Sequence, residues 1–119
     1  MPYKIKAAGN GRLVIVRHFG AVYCPELSQA VAKVNELINP LISPGLLVDV
    51  RAAESFPKHE EFFDWIEKQG GRSLLVEKVA FVTDDIHLRN IEAIALGHIN
   101  RGINVCVFRA EMDALDWLL

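Results

Sequence analysis

The sequence has little of several features that would place it at once in a class of proteins. Its 119 residues include two cysteines, Cys24 and Cys106, which lie far apart and outside any C-x-x-C pattern. Thirteen Lys and Arg residues stand against 15 Asp and Glu, a net charge of −2. A chain with this balance has no broad attraction for a phosphate backbone or an anionic lipid surface, so we expect no nucleic-acid partner.

Long apolar runs are also missing. No window approaches the roughly 18–20 uninterrupted apolar residues of a transmembrane helix. The start of the chain, from Met1 to Lys6, alternates charged and apolar residues and contains no apolar stretch of signal-peptide length. We therefore expect a cytoplasmic protein without a transmembrane segment, whose two cysteines are free thiols in a reducing compartment.

Motifs that carry catalysis or metal binding are absent as well. The sequence has no Walker loop, no G-x-S-x-G elbow and no histidine pair at metal-ligand spacing. We expect no catalytic residue, no metal and no cofactor. One alternative stays open. Cys24 lies at the predicted start of a helix, where backbone N–H groups lower a thiol pKa, so a thiol enzyme built on Cys24 is a third hypothesis.

The chain opens with a predicted β-hairpin. Tyr3 and Ile5 alternate with two lysines, the spacing of a half-buried edge strand. Asn10-Gly11 favours the positive φ angles of a type I′ turn, and the apolar run 13–16 follows it.

The rest of the chain alternates apolar strands with helices of amphipathic spacing. Strands are predicted at 46–50, 79–82 and 103–108, and helices at 25–38, from Pro57 to Gly70-Gly71, after Asp84 to about Gly102, and at 112–118. The order β-β-α-β-α-β-α-β-α predicts a single α/β domain over residues 1–119. We expect a mostly parallel five-stranded sheet with an antiparallel edge hairpin.

The closing run resembles a known family. The segment from Asn104 to Leu118 (NVCVFRAEMDALDWL) consists of a strand ending in Phe, a few polar residues, Ala and then Trp-Leu. With Trp65 in the second helix and the strand KVAFV at 78–82, it is similar to the SpoIIAA-like branch of the STAS domain superfamily. The resemblance covers nearly the whole chain and implies a sheet with its strands in sequence order, related to the lipid-carrying CRAL-TRIO fold.

The resemblance also implies a function. STAS proteins of the anti-sigma antagonist kind dock a partner kinase and are switched by phosphorylation of a Ser at the start of the helix after the third strand. The corresponding segment here, Arg51 to His59, lacks the typical Asp-Ser-Ser-Gly-Leu pattern, and Ser55 precedes Pro57 rather than occupying the acceptor position. We therefore expect no phosphorylation site.

Polar residues follow the predicted parallel strands at the end where ligands bind in open α/β sheets. They are Arg17, His18, Asp49, Arg51, Thr83, Asp84 and Arg109. The arginines would hold a small anion if these loops converge. In the other interpretation the carboxylates pair with the arginines at a solvated rim.

Aromatic residues cluster near two adjacent crossovers. They are Phe19, Tyr23, Phe56, Phe62 and Phe63. Such a group forms ordinary core, a homodimer patch or the wall of a pocket for an acyl chain.

These observations favour a non-enzymatic cytoplasmic interaction module of STAS-like type, a homodimer that binds a partner protein. The alternative is a carrier of a small anionic or lipid-like ligand. In that case Arg17, Arg51 and Arg109 bind the head group of the ligand, and the aromatic residues bind its tail. The binding residues that we expect are Arg17, His18, Phe19, Tyr23, Asp49, Arg51, Phe56 and Arg109.

Overall fold

Seven strands and four helices follow one another in the part of the chain that the computed structural model describes, residues 3–42, 44–69 and 75–119. The strands are β1 (Tyr3–Ala8), β2 (Leu13–His18), β3 (Gly20–Ala21), β4 (Gly45–Asp49), β5 (Ala53–Ser55), β6 (Lys78–Val82) and β7 (Asn104–Phe108). The helices are α1 (Cys24–Leu37), α2 (His59–Gln69), α3 (Leu88–Ile99) and α4 (Glu111–Leu118).

The main sheet has five strands in the order β1-β2-β4-β6-β7. β1 pairs antiparallel with β2, and the other neighbours are parallel. Each parallel connection carries at least one helix, as a crossover between parallel strands requires. The predicted fold class, the sequential strand order and the antiparallel edge hairpin are confirmed.

The hairpin turn has the predicted backbone. Asn10 has a φ of 57° and Gly11 a φ of 86°, and the Arg12 N–H donates to the Gly9 carbonyl at 3.2 Å. Positive φ at both central positions is the signature of a type I′ turn.

Two details differ from the sequence predictions. The second helix begins at His59 rather than at Pro57, because the Lys58 carbonyl accepts the first helical hydrogen bond, from Phe62. In addition, β3 and β5 pair as a separate two-stranded parallel sheet. They are two and three residues long, too short to show an alternating pattern. The predicted helix end at Gly70-Gly71 lies outside the described residues.

The main sheet has two differently covered faces. Helices α1, α2 and α3 pack on one face, over a core that includes Val16, Val48 and Phe81. Helix α4 covers the other face, over Leu47, Ala80 and Val82. Since successive side chains of a strand point to opposite faces, every residue of β2 and β4 is assigned to one of these two layers.

Candidate functional site

A buried carboxylate organises the carboxyl edge of the sheet on the α4 face. Asp49 ends β4 and is 8% exposed. Its Oδ1 accepts hydrogen bonds from Arg51 Nε at 2.9 Å and from the Arg51 backbone N–H at 3.1 Å. Its Oδ2 accepts from Arg51 Nη2 at 2.9 Å and from Arg17 Nη1 at 2.6 Å. Four donors around one carboxylate join β2, β4 and the turn that follows β4.

Glu111 brings the last helix into the same cluster. It lies in the first turn of α4, and its Oε1 accepts a hydrogen bond from Arg17 Nη1 at 2.6 Å. Arg51 Nη2 lies 3.7 Å from the same oxygen. We refer to Arg17, Asp49, Arg51 and Glu111 as the edge cluster. Two guanidinium groups face two carboxylates, so the edge cluster carries no net charge and attracts a free anion only weakly at long range.

The pKa values of the edge cluster follow from these contacts. Burial opposes ionisation of Asp49, but the hydrogen bonds from Arg51 and Arg17 outweigh it and lower the Asp49 pKa. The hydrogen bond to Glu111, together with those to Asp49, raises the pKa of Arg17, and Asp49 raises the pKa of Arg51. All these shifts favour the ionised forms, as expected of a structural ion cluster.

The third arginine forms its ion pair elsewhere. Arg109 Nη2 lies 2.9 Å from Asp85 Oδ1, with side chains 65% and 79% exposed. Among the described residues, Arg109 forms no ion pair with Asp49 or Glu111. The structure therefore brings Arg17 and Arg51 together but pairs Arg109 with the loop after β6. Thr83 is buried, and Asp84 Oδ1 accepts a hydrogen bond from the His87 N–H ahead of α3.

Two large apolar side chains flank this ion pair in solvent. Ile86 follows Asp85 and is 84% exposed, and Met112 lies in the first turn of α4 and is 73% exposed. The Arg109–Asp85 pair ties their two loops together. The carboxyl edge therefore has a neutral, cross-linked polar centre with apolar side chains beside it.

The predicted aromatic residues separate into three environments. Phe56 and Phe62 lie in the core layer under α1–α3. Tyr23 and Phe63 are exposed. Phe19 is half-buried, with Lys4 Nζ 5.7 Å from its ring centroid.

A partly enclosed cavity of about 70 Å³ lies between the main sheet and helices α1–α3. Its described lining is apolar apart from two histidines and an indole. The lining residues are Val16, His18, Val22, Leu27, Ala30, Val31, Val34, Leu46, Val48, Val50, Phe56, Phe62, Trp65, Val79, Phe81, Ile91, Ile94 and His98. The indole is already paired, since Trp65 Nε1 donates to Ser28 Oγ at 2.7 Å.

The two histidines of the cavity are uncharged at neutral pH. Burial lowers the pKa of His18 to about 4. Burial, with a smaller contribution from the charge of Arg101, lowers the pKa of His98 to about 4 as well. The His98 ring stacks on Phe81 at a centroid distance of 6.0 Å. His18 is 4% exposed, and its Nδ1 has no hydrogen-bond partner among the described residues.

The sheet separates the edge cluster from this cavity. Arg17 and Asp49 point to the α4 face, whereas His18 and Val48, their neighbours in sequence, point to the cavity face. The arginines that would bind the head group of a lipid-like ligand and the pocket of Phe56 and Phe62 that would bind its tail therefore lie on opposite faces of the sheet.

Glu111 of the edge cluster and His98 of the cavity are polar residues that the sequence predictions did not include. Glu111 lies two residues after Arg109, and the criterion that selected Arg109 applies to it equally. His98 lies seven residues after Ile91 and four after Ile94, so helical spacing puts it on the same core-facing side.

Cys24 does not have the surroundings of an activated thiol. Burial raises its pKa, and the carboxylates of Glu61 and Asp64 raise it further. This shift is opposite to the one that the thiol-enzyme hypothesis needs. Within the described ranges, no group of three or more His, Cys, Asp or Glu side chains is arranged to hold a metal ion. None of the described helices is long and apolar enough to cross a membrane.

Comparisons with known proteins identify the fold. No family model and no curated protein matches the chain. Among solved structures, it is similar to an uncharacterised protein of the DUF3478 family from Shewanella loihica PV-4 that has a SpoIIAA-like fold. The TM-score is 0.63 at 13% sequence identity, and the match covers 98% of this chain and 92% of that one.

A second similar structure is an anti-sigma factor antagonist from Mycobacterium paratuberculosis. Its TM-score is 0.54 at 19% identity, and the match covers 98% of this chain and 93% of that one. The chain has a SpoIIAA-like fold, the fold that the resemblance in its sequence implies.

Proposed function

We propose that this chain is a non-enzymatic regulatory module of the STAS type that acts in the cytoplasm by docking a partner protein. The observation that carries the proposal is the likeness, over 98% of the chain, to a protein named for its action on an anti-sigma factor. Fold alone does not determine function, so the surface has to supply the rest of the argument.

The carboxyl edge is the surface that suits this role best. The edge cluster is balanced in charge, and its ion pairs hold β2, β4 and α4 in fixed positions. The side chains of Ile86 and Met112 are exposed to solvent near the edge cluster. Met and Arg are enriched at protein interfaces, and a charge-balanced cluster attracts a free anion only weakly, so this surface favours protein docking over anion binding.

Docking by this module does not require a phosphoserine. The segment 51–59 lacks the Asp-Ser-Ser-Gly-Leu pattern, and Ser55 is exposed on β5, ahead of the turn that leads to α2. A Ser55→Ala variant should therefore dock as the unmodified chain does.

The proposal is tested by gel filtration of a lysate from the native cells, in which the chain carries a tag that allows its elution to be followed. We expect the chain to elute well above its mass of 13.3 kDa, and a double variant, Ile86→Asp with Met112→Asp, to elute as the free chain. Leu41→Asp is the matched control, because Leu41 is 91% exposed at the opposite edge of the sheet. It should leave the elution unchanged.

Two results would overturn the proposal. One is elution of the unmodified chain as a monomer, and the other is an equal effect of the aspartates at both edges. Gel filtration of the purified chain distinguishes the partner. If the pure chain gives the same large species, the partner is a second copy, as the expected homodimer requires.

A further inference from the structure

We propose that the cavity between the sheet and helices α1–α3 binds one small, uncharged, mostly apolar molecule carrying a hydroxyl group, with His18 Nδ1 as its hydrogen-bond partner. This site goes beyond the proposed function, since it lies on the opposite face of the sheet from the edge cluster.

The buried histidine provides the polar anchor. His18 ends β2, is 4% exposed and lines the cavity. Two buried side-chain atoms of the described residues lack a hydrogen-bond partner, His18 Nδ1 and Glu26 Oε2. Only the histidine is among the cavity residues. Since an unpaired buried polar atom is unfavourable, a ligand that pairs with Nδ1 gains binding energy from that hydrogen bond.

The chemistry of the lining determines the charge of the ligand. No Asp, Glu, Lys or Arg is among the described cavity residues. A carboxylate or an ammonium group would lose its hydration there without gaining a counter-ion, which is strongly unfavourable. Arg17 and Arg51 are on the α4 side, in the edge cluster. Arg101, whose charge lowers the pKa of His98, donates to the Ile66 carbonyl and is not among the lining residues. The site therefore favours a neutral molecule.

A hydroxyl group suits either tautomer of the histidine. If the ring proton is on Nε2, Nδ1 accepts a hydrogen bond, and if it is on Nδ1, that nitrogen donates. A hydroxyl serves both cases because it is donor and acceptor at once. Water fits less well, since a buried water needs two to four polar partners and apolar cavities of this kind stay dry.

The volume limits the size of the ligand. A cavity of about 70 Å³ exceeds the roughly 10–15 Å³ that one water needs and is about half of the roughly 150 Å³ that holds a benzene ring. Because the cavity is only partly enclosed, a short unbranched alcohol, whose chain is narrower than an aromatic ring, matches this space better than a ring or a long acyl chain.

Binding is measured by amide chemical shifts in two-dimensional NMR during titration with 1-butanol, with butyrate and, separately, under xenon pressure. We expect 1-butanol to give saturable shifts at amides around the cavity. Butyrate has the same chain length and a carboxylate, and it should bind at least tenfold more weakly. Xenon reports the void without hydrogen bonding.

The decisive variant is His18→Leu, which keeps the site apolar and removes the anchor. We expect its 1-butanol Kd to rise about tenfold, the effect of one hydrogen bond, while its xenon Kd stays within twofold. Ala30→Leu, which fills the cavity from α1, should abolish binding of both 1-butanol and xenon.

An absence of saturable 1-butanol shifts, equal 1-butanol Kd values with and without His18, or butyrate binding as tight as that of the alcohol would each overturn the proposal. Xenon binding alone would mean a dry void without a ligand site, and would overturn it too.

Discussion

Asp49 shows how one carboxylate holds three elements together. It accepts four hydrogen bonds at 2.6–3.1 Å, from Arg17 and Arg51. Losing one member of a buried ion pair is costly because it leaves the partner charges unpaired. The two guanidinium groups here are partly exposed, so water replaces some of the lost contacts.

We predict that Asp49→Ala lowers the free energy of unfolding by about 2 kcal/mol, between the values for a surface pair and a fully buried one. Urea denaturation measures it. Arg109→Ala is the control, because the exposed Arg109–Asp85 pair should contribute less than about 0.5 kcal/mol. Equal effects of the two substitutions would contradict the structural role of Asp49.

The burial of His18 predicts that the free energy of unfolding depends on pH. Its pKa is about 4 in the folded chain and about 6.5 when exposed. Between these values the unfolded chain binds more protons, so stability is complete above pH 6.5 and falls as the pH decreases toward 4. The full effect is about 3 kcal/mol for this residue.

We predict that His18→Leu flattens this pH dependence, leaving the part contributed by His98, whose pKa is also about 4. Urea midpoints measured at pH 7 and pH 4.5 test it. If wild type and variant lose the same stability over that range, His18 is not buried as the neutral form.

Cys24 is predicted to be an unreactive thiol. Burial and two neighbouring carboxylates raise its pKa, so little thiolate is present at pH 7. The rate of alkylation by iodoacetamide should be equal to or below that of free cysteine. A faster rate, which falls when Cys24 is replaced by Ser, would restore the thiol-enzyme hypothesis.

At the scale of elements, two glycines with nearly the same φ angle allow the cost of backbone strain to be distinguished from the cost of steric crowding. Gly11 and Gly102 have φ of 86° and 85°. A Cβ on Gly11 would lie 2.7 Å from Asn39 N and from the Leu37 carbonyl oxygen, whereas one on Gly102 would meet nothing within 4 Å. The hairpin turn therefore lies directly against the end of α1.

We predict that Gly102→Ala costs about 1 kcal/mol, the strain of a left-handed alanine. Gly11→Ala should cost about 3 kcal/mol, since crowding of rigid backbone is added to that strain. Thermal and urea unfolding of both variants provide the comparison. Equal losses would mean that the turn does not pack against α1.

Most elements were predictable because their patterns are long. The apolar spacing in α1, the type I′ residues at Asn10-Gly11 and the apolar cores of β2, β4 and β6 are local signals. The pair β3 and β5 was not predictable, because two or three residues show no period and their pairing depends on the surrounding fold. The start of α2 was misplaced because Pro57 lies two residues before His59, the first residue of the helix, and not at the first helical position that proline favours.

At the scale of the molecule, the sequence predicted that the polar candidates lie at the carboxyl edge of the sheet, where the structure has them, but it did not assign them to faces. Arg17 and His18 are neighbours in a strand, and their alternation alone puts them on opposite sides of the sheet. The pairing of Arg109 with Asp85 and of Arg17 with Glu111 depends on side-chain geometry between distant loops, which composition does not encode.

Two separate surfaces result from this division. The α4 side of the carboxyl edge has a neutral ion cluster, with exposed apolar residues near it, and we propose that it meets another protein. The α1–α3 side encloses an apolar cavity with one unpaired polar atom.

The docking claim is tested most directly by a photo-crosslinking residue placed in turn at Met112 and at Leu41 and irradiated in the native cells. Both positions are exposed, at opposite edges of the sheet, so we expect neither change to affect folding. We expect one discrete adduct from position 112 and at least tenfold less from position 41. Equal yields from the two positions, or no adduct at 112, would contradict docking at the carboxyl edge.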